Sequence, residues 1–117
     1  MKQYKHHAIL ITTRHRKLID ELRIKAKDFF LKGMQAKTGH TLIGEITLSI
    51  IGDFYTMVIF PDGSKEGYET SEEADNIRGK IIAAIKELNQ KVGNQELSFV
   101  EVSYGSDTEP AAIESTN

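Results

Sequence analysis

The sequence has no cysteine, which excludes disulfides and thiolate-bound metals and fits a reducing compartment. It has no large charge of one sign either. Lys and Arg number 15 against 17 Asp and Glu, a formal net charge of -2. No broad attraction to nucleic acid or to an anionic membrane follows from that. Its longest apolar runs are far too short to span a bilayer. The first residues lack the pattern of a signal peptide, so the cytoplasm is the expected location. No segment repeats at a fixed period. Chemical signatures are missing as well. There is no Gly-x-x-x-x-Gly-Lys-Ser phosphate loop and no Gly-x-Ser-x-Gly nucleophile elbow.

What remains is the composition of an ordinary folded chain. Of 117 residues, 39% are apolar and 27% charged, enough for one domain with a real core. Tyr4 to Thr12, centred on Ala8-Ile9-Leu10-Ile11, reads as a central strand. Thr12 and Thr13 can cap the helix that follows, from about His15 to Lys32. Leu18, Leu22, Ala26 and Phe29 form its apolar stripe, with Ile19 and Phe30 beside it, and Gly33 is a natural stop. After a polar connector, a second strand spans Thr41 to Ile51, with Leu42, Ile46, Leu48 and Ile50 on one face. Gly52-Asp53 makes a tight turn into a third strand, Phe54 to Phe60. Pro61-Asp62-Gly63-Ser64 is a strong turn signal. Thr70-Ser71-Glu72-Glu73 fits a capping box, and Ala74, Ile77, Ile81, Ala84, Ile85, Leu88 and Val92 form the stripe of a second helix ended by Gly93. A last strand runs from Leu97 to Tyr104. Residues 106–117, acidic and without pattern, read as a mobile tail, leaving residues 1–105 as a single domain.

This order predicts an α+β, ferredoxin-like β-α-β-β-α-β fold, a four-stranded antiparallel sheet with both helices on one face. Right-handed crossovers order the strands four, one, three, two. His6, His7, His40, the Asp62 to Thr70 loop and Tyr104 then meet at one edge. Thr12 to Lys17, Gly52-Asp53 and Gly93-Asn94 meet at the other. In strand three, Tyr55, Met57 and Ile59 oppose Phe54, Val58 and Phe60; in strand four, Val100 and Val102 oppose Leu97 and Phe99. Both faces being apolar, the open one is expected to be covered, with a homodimer favoured.

The Asp62 to Thr70 loop is the densest candidate site. Amides at a helix start and the Lys65 charge can hold an anion, while Asp62, Glu66 and Glu69 oppose one. His6 and His7 point to opposite faces and do not easily share an ion, so no metal and no cofactor are expected. Arg14, Arg16 and Lys17 form a basic patch at the other edge. The glycine–aromatic pattern of RNA-binding sheets is absent from strand three, and nucleic acid is disfavoured as a partner.

His6-His7-Ala8, Pro61-Asp62-Gly63-Ser64-Lys65-Glu66-Gly67-Tyr68, the Ser71 to Asp75 stretch with Arg78, and Val100 to Gly105 together resemble a group of small phage and prophage proteins. In that group Trp is usual where Tyr68 stands. The resemblance implies a phage accessory protein in the host cytoplasm and implies no particular chemistry. The expected function is non-catalytic binding, such as sequestering a nucleotide messenger to counter host defence. His6, His7, Asp62, Ser64, Lys65, Glu66, Tyr68 and Tyr104 are the candidate ligand residues, with phosphate on Lys65 and a base stacked on Tyr68. The alternatives are a host-protein or structural module using the open face, and, least favoured, a small enzyme using His7 or His40 with Glu66.

Overall fold

A computed structural model describes residues 3–35 and 37–117. The elements run β1 (His6–Thr13), α1 (Arg16–Gly33), β2 (Thr47–Leu48), β3 (Tyr55–Ile59), α2 (Glu69–Val92), β4 (Ser98–Tyr104) and β5 (Ala112–Thr116). The sheet order is β2-β3-β1-β4-β5, antiparallel throughout. The first four strands therefore take the ferredoxin-like arrangement read from the sequence. No helix among the described residues is long and apolar enough to cross a membrane.

Period-two alternation along β1 sends Ile9 and Ile11 under the helices, fully buried, while Leu10 faces out, 41% exposed. The register carries this across the sheet. Met57, Ile59 and Phe99 share the covered side; Val58 and Val100 flank Leu10 on the open one. From above, α1 contributes Ile19, Leu22, Ala26 and Phe30, and α2 contributes Ile77, Ile81 and Ile85. The α1 stripe is rotated slightly from the sequence reading, so Leu18 and Phe29 only border the core. Gly33 does not cap α1 through positive φ. It lets α2 approach, since a Cβ there would lie 3.2 Å from Ile77 Cγ1. Gly93, with φ of 75°, is the left-handed cap of α2. Beyond it, Asn89 acts as a backbone mimic: its amide bonds both the N–H and the carbonyl of Leu97 and so fixes where β4 begins.

Four expectations need correction. Residues 106–117 are not a free tail, because β5 pairs with β4 and makes the sheet five-stranded. Asn117 extends that pairing with its side chain, accepting from Phe99 N–H and donating to the Leu97 carbonyl. The second strand shrinks to two residues. Gly44 crosses so close to β3 that a Cβ would lie 2.9 Å from Phe60 Cε2, and Gly39–Leu42 forms a 3₁₀ turn instead. Leu42 and Ile46 still border the core, but Ile50 and Ile51 stand clear of it, 101% and 86% exposed. Finally, the capping box is not formed. The helix starts earlier, at Glu69, with Tyr68 as N-cap and no side-chain cap bond. Glu69 and Glu73 instead accept hydrogen bonds from Gln35, tying the end of α1 to the start of α2. Thr13, likewise, does not cap α1 as its N-cap residue; its hydroxyl accepts from the N–H of His15, which holds that position.

Candidate functional site

The pairing of β1 with β4 sets His6 opposite Tyr104, His7 opposite Ser103 and Ile9 opposite Glu101. The loop after β3 adds Lys65 through a bridge to Tyr4. The loaded edge expected from the topology is therefore present. The pleat, however, divides its residues between the two faces of the sheet.

On the covered side lies a compact charged cluster. Arg78, on the buried stripe of α2, is 5% exposed. It pairs with Asp75, with Glu101 at 3.4 Å and with Asp62 at 4.0 Å. Asp62 also accepts from Ser64 N–H at 3.3 Å and from the Ser64 hydroxyl; Gly63, with φ of 84°, allows that turn. His7 Nδ1 lies 3.9 Å from Glu101 and is buried without a hydrogen-bond partner among the described residues. A His–Glu pair can act as a general base, but a buried Nδ1 offers a substrate no open path at that atom. Along the same side, Ser103 Oγ donates to Glu114 at 2.6 Å. That bond, with help from Lys5 and against the effect of burial, holds the Glu114 carboxyl below the ordinary carboxylate value. Lys5 is raised in turn, chiefly by its hydrogen bond to Glu109 at 3.0 Å.

On the open side the contacts are aromatic. The Tyr4 and His6 rings stack with centroids 6.3 Å apart, and His6 meets Tyr104 at 5.4 Å. Lys65 Nζ sits 5.2 Å from the Tyr4 ring centre, within cation–π range. Gly105 permits the packing: its φ is 82°, and a Cβ there would come within 2.6 Å of the His6 ring. Beside Tyr104 runs a shallow cleft of about 370 Å³, walled by Val102, Ala111, Ala112 and Ile113.

Thus His6, Lys65 and Tyr104 gather on the open side, and His7, Asp62 and Ser64 on the covered side. Glu66 donates its N–H to the Gln3 carbonyl and lies close enough for its charge to favour the Lys5 cation. Tyr68 is half exposed at the start of α2, and His40 is exposed in the 3₁₀ turn. Among the described residues, no three His, Asp or Glu side chains converge to hold a metal ion. Sequence reasoning missed Tyr4, Arg78, Glu101 and Glu114. For Arg78 and Glu101 a signal existed: each is a charge set at a core-facing position of its own period.

No family model matches the chain, and no curated protein does. Among solved structures it is similar to the guanylyl cyclase Cya2, with 16% identity and a TM-score of 0.30 over 98% of this chain and 66% of that one. That likeness is too loose to bear on fold or chemistry.

Proposed function

We propose that this chain is a non-catalytic binding protein, of the phage accessory kind its motifs resemble, and that the open face of its sheet is the working surface. One observation supports this above all. Val58, Leu10 and Val100 form one apolar row across that face, and Val102 and Ile113, beside the buried Ala8, form the next, with Phe54 and Phe60 at the margin and Ile113 68% exposed. Contiguous apolar surface on a small chain is stabilised by covering it, at about 25 cal/mol per Å². A second copy is the proposed cover. Sedimentation velocity at micromolar concentration should show a dimer that Leu10→Asp dissociates. A monomer for both proteins would sink the homodimer. If the monomer instead retains one host protein, and Leu10→Asp releases it, the host partner takes the place of the second copy.

A second reading is capture of a planar anionic ligand, such as a nucleotide messenger, at the edge of this face. It is favoured by the convergence of Tyr4, His6 and Tyr104 with Lys65, since rings stack on bases and a cation meets phosphate. Calorimetric titration with cyclic and linear nucleotides should give binding that Tyr104→Ala weakens by about 1–3 kcal/mol, the worth of one stacked base. Absence of heat across the panel would remove this reading.

A further inference from the structure

Neither reading involves the outer face of α1, where the charge of the chain is least even. The helix carries Arg16, Lys17, Arg23, Lys25, Lys27 and Lys32 against Asp20, Glu21 and Asp28. Its first turn contains no acidic residue. Cations there oppose the helix dipole and cost stability, a local disfavour that an anion would relieve.

Between this face and residues 45–46 lies a cleft of about 370 Å³. That is within the size range of small-ligand sites. Its cations are Arg16, Arg23 and Lys27, its apolar walls Ile24 and Ile46, and its carboxylates Asp20 and Glu45. Arg23 is the central group. Its side chain is only 21% exposed, and its Nε–H is held by the Gly44 carbonyl at 3.2 Å. Its Nη groups make no hydrogen bond among the described residues, and Glu45, 3.6 Å away, is 91% exposed. The guanidinium is thus positioned by the backbone, with its Nη groups accessible at the cleft and free to exchange water for an anion. Arg16 is steadied by Asp20 at 3.0 Å and by the Tyr55 ring at 5.4 Å. Lys27 has no ion pair among the described residues. The two carboxylates neutralise part of the charge and leave a single net positive charge over the lining side chains.

We propose that this cleft binds a small phosphate monoester. The phosphate is held by Arg23 and Lys27 with Arg16 at the rim, and a compact organic body lies against Ile24 and Ile46. A guanidinium fork with a neighbouring ammonium suits a tetrahedral dianion. A strongly charged ligand without an apolar part would leave both isoleucines in water, so a phosphate ester is the better fit than phosphate alone.

The test is a titration of the isotope-labelled protein, followed by amide NMR, with inorganic phosphate, AMP and adenosine. Phosphate and AMP should shift the amides of residues 23–27 and 44–46, AMP the more tightly, and adenosine should leave them in place. Lys27→Gln, at an exposed position that leaves the fold intact, should weaken AMP about tenfold, as expected for one lost contact to a charged group. Arg23→Gln should abolish the shifts, and Lys65→Ala should not affect them. Shifts confined to the Tyr104 corner, an equal response to adenosine, or an AMP affinity unchanged in Lys27→Gln would each overturn the proposal.

Discussion

Arg78 stands on α2 between neighbours of the helical period, Ala74, Ile77 and Ile81, that are all buried. Its charge is tolerable there because Asp75, Glu101 and Asp62 pair with it. Arg78→Met is therefore expected to cost about 3–5 kcal/mol, the range for leaving one side of a buried ion pair alone. Adding Glu101→Gln should recover part of that loss, because the amide carries no uncompensated charge. Urea unfolding of the single and double variants measures both effects. A single variant as stable as the parent protein would show that Arg78 does not hold this cluster together. In the sequence Arg78 and Glu101 stand as charges on the core-facing stripes of their own elements. What stayed hidden was that they face each other, since that depends on how α2 lies across β4. The same limit applied to the aromatic corner. His6 and Tyr104 were expected at one edge; Tyr4, two residues before His6, shares its face by the pleat and is bridged there to Lys65.

At the scale of elements, the helices, β1, β3 and β4 were legible because each has a clear hydrophobic period. The connector to β2 and the strand β5 were not. The period-two run from Leu42 to Ile50 is real, yet the close passage of Gly44 over β3 prevents a full ladder. β5 has the opposite character: Ile113 is its single large apolar residue, and side chains fasten it through Ser103 to Glu114 and Asn117 to Leu97. Deleting residues 106–117 should leave the four-stranded fold standing but less stable, by about 1–3 kcal/mol for a few lost hydrogen bonds. Thermal unfolding checks the loss, and retained helical circular dichroism checks the fold. Acid should loosen the same strand. The Glu114 carboxyl is lower in the folded protein than its ordinary value of 4.5, so it stabilises the docked strand above that pH. The contribution fades as pH falls from 4.5 through the folded value. Protection factors for hydrogen exchange in β5 should fall in that window while those in β1 hold; unchanged protection of β5 from neutral to acid pH would show that Glu114 does not hold the strand.

For the molecule as a whole, overall composition concealed an asymmetry. Ten of the 15 Lys and Arg residues, but only three of the 17 Asp and Glu residues, fall within the first 37 positions. The near-neutral total is an average over a basic first third and an acidic remainder, so it cannot exclude an anion site on α1. The strand order was recoverable because two crossovers and a hairpin leave few arrangements open. The division of the loaded edge into a charged side and an aromatic side was anticipated only for His6 and His7, which alternation along β1 sends to opposite faces.

β1 is the middle strand of the sheet but the first in the chain. Both of its neighbours, β3 and β4, come later. As the chain emerges from a ribosome, one flank of β1 can be covered once Ile59 has appeared. The other flank stays open until Tyr104 has followed. Through that interval Ile9 and Ile11, the most deeply buried residues of the finished strand, lie beside an unpaired backbone edge. The nascent protein thus carries an unpaired edge prone to aggregation, where a chaperone would act, until Tyr104 is in place.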